Sequence, residues 1–315
     1  MTTTLRVAAV QMQAVLGDVE ANLEKAEQLV CRAFDLGAEW VILPEMFTSA
    51  VAFHPKMLDA ARPLDGEPTQ LLVSLAREHQ GVVGGSFLAL RGDHTYNTFV
   101  LAFPDGMIYL HDKDQPSLWE NCYYVGGSDD GVLKTPAGSV GVALCWEQIR
   151  TRTARRLLGR VDWVVSGSCW WGVPDVVPAD HPLRAELLGM LRATPVTLAQ
   201  MLGVPVVHGS HAGDFETFRP PEELVIERRS FLGEAQIVDG YGHALARMSR
   251  EDGEGVIVAD IAPGVVKGTR LLIPDGFWIP EMSPSLLDAW ETQNQHGQAY
   301  YQQVTLPHRR GKFAE

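Results

Sequence analysis

The chain has 315 residues, 46% of them apolar, enough for a substantial core in one large domain or two modest ones. Its 26 basic and 39 acidic side chains leave a net charge of −13, and no basic tract of the kind that tracks phosphates is present, which argues against nucleic acid as a partner. No apolar run approaches the ~20 residues needed to span a bilayer. The opening MTTTLRVAAVQMQ lacks the charged and apolar regions of a secretory leader, so no membrane partner and a cytoplasmic location are expected.

In chain order, LRVAAVQM (5–12) reads as a strand. Asp18 then caps a helix in which Val19, Leu23, Ala26, Val30, Ala33 and Phe34 recur at helical spacing, closed by Gly37. EWVILPE (39–45) reads as a buried strand and 69–80 as a helix. GVVGGSFL, NTFVLAF and MIYLHDK follow as strands, with PDG (104–106) as a hairpin turn. SVGVALC is read as a strand ending on Cys145, 148–159 as a helix and DWVVSGS as a strand. Residues 181–202 are expected to be helical with a break near Pro195. VPVVHGS, FLGEAQIVDG, HALARMS and EGVIVADI complete the pattern, with DGYG as a tight turn. Helices alternate with strands first and hairpins cluster later, which predicts layered α/β architecture with a mixed sheet.

The four cysteines, Cys31, Cys122, Cys145 and Cys169, show neither CxxC pairs nor zinc-type spacing with histidines. Neither a disulfide framework nor a metal site is expected, and free thiols fit a reducing compartment.

Three strand ends carry reactive groups. In SVGVALC, Val140, Val142 and Leu144 share one face and Gly141, Ala143 and Cys145 the other, so Cys145 should point to the side with small residues and space for a ligand. A position just ahead of a helix favours a thiolate through amide groups and the positive helix end. The competing reading is a small buried core residue. Glu45 follows Pro44, which biases Leu43 to extended backbone and brings the carboxylate out at a strand's carboxyl end. Against apolar walls its pKa should rise, as suits a general base; the alternative is a capping or solvated glutamate. Lys113, in HDKD ahead of Pro116, would lower a thiol pKa or stabilise an oxyanion, with Glu120 seven residues on as a second carboxylate. Taken alone, HDKD reads as a solvated loop.

In this order, LPE (43–45), K-x-x-P-x-x-x-E (Lys113 to Glu120) and GVALCWE (141–147) resemble the nitrilase, or carbon–nitrogen hydrolase, superfamily. The opening strand and helix and the stretch GEAQIVDGYGHALARMSREDGEGVIVADI extend the resemblance over roughly residues 5–262. It implies a four-layer α-β-β-α sandwich, often paired into dimers or larger homo-oligomers, with no metal and no organic cofactor. Residue by residue, it implies Cys145 as nucleophile, Glu45 as base, Lys113 as the catalytic lysine and Glu120 as the second glutamate.

The expected reaction is hydrolysis of a small amide through a thioester, of the amidase or carbamoylase type. RTARRLLGRVDWVVSGSCWW is similar to those branches, and HDK departs from the run associated with nitrilases. CWE and its lead-in are similar to the nitrilase branch, so a nitrile substrate is the alternative. A non-catalytic binding member of the fold, or acyl transfer to an acceptor other than water, belongs to a different class. Trp119, Tyr123, Trp146, Trp170, Trp171 and His208 are the expected pocket lining; the CWW motif could equally anchor a subunit contact. His208 and His211 could touch substrate, though loop histidines are more often structural.

The hydrolase domain is expected at 1–269, followed by a tail at 270–315. Leu271, Leu272, Ile273, Phe277, Trp278 and Ile279 form an apolar, Pro-punctuated stretch too irregular for a packed helix. It is expected either to cross a homodimer interface and help wall the pocket or to pack back on its own subunit.

Overall fold

A computed structural model describes residues 4–219, 222–268 and 270–312. Met1–Thr3, read above for a leader, residue 269 at the expected boundary and 313–315 of the tail lie outside them. The first half runs β1 (Leu5–Met12), α1 (Val19–Asp35), β2 (Trp40–Ile42), β3 (Arg62–Pro63), α2 (Glu67–His79), β4 (Val82–Arg91), β5 (His94–Ala102), β6 (Ile108–Asp112), β7 (Val132–Thr135) and β8 (Gly138–Val142). The second half runs α3 (Thr151–Leu157), β9 (Trp163–Ser168), α4 (Pro182–Leu202), β10 (Val206–Arg219), β11 (Glu222–Val238), β12 (Ala244–Ser249), β13 (Gly255–Ile261), α5 (Pro284–Tyr300) and α6 (Leu306–Lys312).

The strands form one hydrogen-bonded network in the order β6-β5-β4-β2-β1-β10-β9-β8-β7, with β13 beside β1, β11 beside β10 and β12 beside β11. Side-chain alternation folds this network into two layers. Ala8, Val10, Val41, Val100 and Ala102 face Leu29, Val30 and Leu72 of α1 and α2. The intervening residues Val7, Ala9, Trp40, Ile42, Phe99 and Leu101 meet Val142, Trp163, Val165, Val207 and Ile237. On the far side, Val164, Val206 and Val238 pack on Leu157 of α3 and Leu198 and Leu202 of α4. Period-2 strands clad by helices on both outer faces give the expected α-β-β-α sandwich.

Helix α1 is built as read: the Asp18 carboxylate accepts from Ala21 N–H at 3.1 Å, and Gly37 turns the chain out at φ +83°. In the β5–β6 hairpin Gly106 N–H donates to Phe103 O at 2.9 Å.

Other readings need correction. The strand in SVGVALC ends at Val142, and Cys145 opens a separate 3₁₀ turn, Cys145–Glu147. The small-residue face of β8 is not open: a Cβ on Gly141 would meet Leu157, Val161 and Val164 at 3.2–3.3 Å, so those side chains already fill it. The helix at 148–159 shrinks to α3, because Ile149 and Arg150 are committed to an extended exchange with the tail. Helix α4 runs through Pro195, held by the buried side chains of Leu191, Leu198, Ala199, Met201 and Leu202.

The tail is more regular than expected. Helix α5 continues through a π-helical turn, Tyr301–Thr305, into α6. Trp278 and Ile279 are buried on the chain's own body, with Ile279 N–H donating to Ile149 O at 2.8 Å. Leu271, Leu272 and Phe277 remain exposed.

Candidate active site

Strands β2, β8 and β9 run parallel within the network, and the side chains of interest follow their carboxyl ends. Glu45 follows β2, Cys145 follows β8, Cys169 follows β9 and Lys113 follows β6 directly. Two glycines let the Pro44–Glu45 segment lie across neighbouring strands. A Cβ at Gly167 would stand 2.4 Å from Glu45 N, and one at Gly209 would stand 2.9 Å from the Leu43 carbonyl carbon. Only glycine fits such an approach.

Cys145 has φ +47°, and Met46 and Leu118, beside Glu45 and Glu120, have φ +50° and +56°. Each L-residue in this region carries on the order of 1–3 kcal/mol of strain, which persists only where surrounding bonds over-determine the backbone. At Cys145 those bonds come from Glu147: its Oε2 accepts from Leu144 N–H at 2.8 Å, while Glu147 N–H donates to Leu144 O at 2.9 Å.

Glu45, Lys113, Glu120 and Cys145 converge in one buried cluster. Lys113 Nζ donates to Glu45 Oε1 at 2.8 Å and Glu120 Oε2 at 2.7 Å. Donor atoms of Glu45, Glu120 and Cys145 all lie within 4.8 Å of one another. Two carboxylates and a sulfur could in principle take a cation, but the Lys113 ammonium already lies between the carboxylates.

Three further groups hold Glu45. Asn97 Nδ2 donates to Oε1 at 2.9 Å, Cys169 N–H donates to Oε2 at 3.1 Å, and His211 Nε2 donates to its main-chain carbonyl at 2.8 Å. Glu120 Oε2 also accepts from Ser117 N–H at 2.8 Å and from the Tyr124 hydroxyl.

Burial pushes the Glu45 carboxyl up to about 7; Lys113 pulls it down and Glu120 pushes it back. Burial works against the Lys113 ammonium, but Glu120 and Glu45 hold it well above the ordinary lysine value. The Cys145 thiol is raised, by burial first and then by Glu45, so the thiolate expected from the sequence is not the resting form. A one-turn 3₁₀ segment lacks the aligned dipoles that would stabilise one.

Trp119, Trp146, Trp170 and Trp171 line a cavity of about 260 Å³ with Cys145 and Glu120 in its wall. Tyr123 and His208 do not line it. Tyr123 is buried, its hydroxyl accepting from His54 N–H at 3.0 Å and donating to His54 O at 3.2 Å. His208 is the third residue of β10, between the Ser166 and Ser168 hydroxyls at 3.2 and 3.1 Å, and burial lowers its pKa to about 3. The imidazole is fully buried, neutral and outside the cavity lining. His211 is likewise fully buried and lowered to about 4.

Several contributors were not read from the sequence. Glu147, quoted only as part of CWE, accepts at Oε1 from Asp114 N–H (3.0 Å) and from Arg156 (2.8 Å), and its Oε2 lies 3.0 Å from His111 Nε2. One carboxylate thus ties the residue after Lys113 to the residue before Cys145. Arg150, fully buried, bonds Asp114 at 2.6 Å and Ser117 Oγ at 3.1 Å. A signal existed in HDKD: His111 and Lys113 alternate with two aspartates at strand spacing, and both alternating side chains are buried. The cavity wall from α4 and α5, including Leu187 and Leu286, had no such signal.

A fold with this arrangement at its strand ends defines a class, and the comparisons agree on it. The carbon–nitrogen hydrolase family profile matches residues 6–271, and the chain belongs to that family. Among relatives, N-carbamoylputrescine amidase of Oryza sativa subsp. japonica is 32% identical over 84% of this chain and 88% of its own length. The nitrilase of Pyrococcus abyssi is 29% identical over 85% of this chain and 93% of its own. Among solved structures, a carbon–nitrogen hydrolase from Helicobacter pylori has a TM-score of 0.70 at 21% identity, covering 82% of this chain and 89% of that one. An amidase from Nesterenkonia sp. AN1, captured with the acetamide moiety of fluoroacetamide on its active-site cysteine, has a TM-score of 0.65 at 19% identity, covering 82% and 90%.

Proposed function

We propose that the chain hydrolyses the carbon–nitrogen bond of a small amide through a thioester on Cys145, releasing ammonia or an amine. The supporting observation is a neutral, buried thiol beside a carboxyl whose pKa is held at about 7. A general base is most effective when its pKa lies near the working pH. Glu45 takes the Cys145 proton as sulfur bonds the carbonyl carbon. The oxyanion is met by the Lys113 ammonium and by the Trp146 N–H, which lies in the first turn of a 3₁₀ segment. Glu45 returns the proton to the leaving nitrogen as the C–N bond breaks. Water then attacks the thioester, Glu45 takes its proton, and the thiol is regenerated as the acid departs. Glu120 keeps Lys113 aligned and charged. Hydrolysis of a nitrile is the second reading, favoured by the Pyrococcus abyssi relative's being a nitrilase.

Mass spectrometry of the protein with small amides and nitriles, alongside assay of released ammonia, tests this. An acyl adduct on the peptide carrying Cys145 and ammonia release are expected. A chain that binds amides without adduct or ammonia is a binding protein of the same fold.

The exposed Leu271, Leu272 and Phe277 support a further reading, that the tail beyond 269 contributes to a homodimer interface. Deleting 270–315 should then lower the sedimentation coefficient to that of a monomer. An unchanged assembly state would remove the tail from the interface.

A further inference from the structure

Resting on the hydrolytic reading above, we infer that the cavity selects a neutral arylalkyl amide: one aromatic ring, a short saturated chain and the carboxamide, without a charged substituent. Size comes first. An apolar protein cavity of about 150 Å³ accommodates one benzene. The cavity here, about 260 Å³, holds one ring with room for a short chain and the carboxamide.

The walls specify a ring. Trp146 and Trp170 stand 5.9 Å apart in the lining, and Trp146 is fixed from behind by Trp290, stacked at 5.5 Å, and by Trp278, edge-on at 5.6 Å. An indole wall held by its neighbours keeps its shape when empty, and aromatic surfaces favour aromatic guests in offset or edge-to-face contact. The helical side of the cavity is Leu183 and Leu187 from α4 with Leu286, Ala289 and the neutral amide of Gln293 from α5.

Charge excludes the alternatives. Glu120 is engaged by Lys113 at 2.7 Å. Arg229, the cation in the lining, places Nη2 and Nε on Glu227 Oε2 at 2.8 and 3.2 Å and Nη1 on Gly172 O at 3.4 Å. A substrate carboxylate would have to share a cation that Glu227 already neutralises, and an ammonium would meet no free carboxylate among the described lining residues of α4 and α5. A buried charge without a partner is strongly disfavoured.

The test uses full-length protein with 3-phenylpropanamide, its 4-carboxy and 4-aminomethyl derivatives, and propanamide. Ammonia release is the first readout. Quenching of tryptophan fluorescence on binding to the Cys145→Ala variant is the second. The neutral aryl amide should exceed both charged derivatives by about 100-fold or more in kcat/KM, with binding ranked the same way, and should exceed propanamide. In Leu187→Lys the 4-carboxy derivative should gain on the neutral amide. Charged derivatives or propanamide turned over as well as the neutral aryl amide would overturn the inference and leave the hydrolytic reading standing. If no amide releases ammonia but the neutral aryl amide still binds selectively, the hydrolytic reading falls and the cavity's selectivity stands. Absence of selectivity in both readouts overturns the inference outright.

Discussion

Two fully buried glutamates, Glu45 and Glu147, lie close to Cys145, and their environments drive them in opposite directions. Burial pushes both carboxyls up, but Glu45 ends at about 7 whereas Glu147 is held well below the ordinary glutamate value by His111 and Arg156. Glu147 accepts from two backbone N–H groups and lies against two cationic side chains. Glu45 has one cation, Lys113, and shares it with Glu120. The first arrangement locks a charge so that it can hold backbone; the second leaves a proton free to move. Arg156 and His111 are themselves shared, with Asp114 and Asp129, so it is the larger number of cationic and backbone N–H partners that sets Glu147 apart from an equally buried Glu45.

The sharpest test of the mobile-proton side is removal of its members. Cys145→Ala and Glu45→Gln should each lower kcat/KM by about 10⁴-fold or more, and the double variant should lose little beyond either, because groups acting as a unit are not additive. Steady-state kinetics, with circular dichroism to confirm folding, checks this; additive losses would mean independent roles.

On the locked side, Glu147→Gln leaves His111 and Arg156 facing a neutral group. Breaking a buried pair of this kind costs about 3–5 kcal/mol, measurable by urea unfolding. Turnover should fall with little change in its pH dependence. A Glu147 variant that shifted the pH profile would mean that Glu147, like Glu45, exchanges a proton during turnover.

A smaller steric effect is expected at Gly167. A Cβ there meets Glu45 N at 2.4 Å, so Gly167→Ala should displace the Glu45 segment and lower kcat by about 100-fold, since small misplacements of a reacting group cost that much. At Gly189, on α4, a Cβ meets nothing within 4 Å. Gly189→Ala should leave kcat unchanged and raise stability by about 0.5–1 kcal/mol.

Acidity gives the gentlest probe. The folded chain keeps the Glu45 proton between the ordinary 4.5 and about 7, where the unfolded chain has lost it, so this group makes stability fall as pH rises through that window. His111, raised from 6.5 to about 10, stabilises fully below 6.5 and loses that contribution as pH climbs toward 10. Glu147 contributes above its ordinary 4.5 and loses its share as pH falls further. Urea midpoints across pH 5–7 should therefore decline in the native chain and flatten in Glu45→Gln. kcat/KM should rise with an apparent pKa near 7, as Glu45 must be ionised to accept the thiol proton.

How much of this was legible in the sequence follows from how local each signal is. Strand alternation and the Asp18 cap are read within a few residues, and β1, α1 and the layer pattern come out as expected. That Glu45, Lys113 and Cys145 lie at or just past strand ends was legible for the same reason, although β8 stops at Val142 and β2 at Ile42. His208 and Tyr123 fall outside the cavity lining because partners distant in sequence, Ser166 and His54, hold their side chains elsewhere. The thiolate reading failed on burial, which depends on side chains from several elements. The tail helices were missed because their apolar residues are sparse: α5 buries Trp290, Asn294 and Gly297, and only the first is a hydrophobic side chain of any size.

Asn294 has a consequence for timing. Its Oδ1 accepts from Leu118 N–H at 2.9 Å and from Asn121 Nδ2 at 2.8 Å, fastening the turn that carries Glu120. A ribosome delivers the chain from its N-terminus, so Glu45, Lys113, Glu120 and Cys145 are all made while this fastener is still absent. The nascent chain can acquire every reactive group and still lack the finished vessel around them. The turn that carries Glu120 therefore gains these two bonds late in synthesis, after residue 294 has emerged and docked.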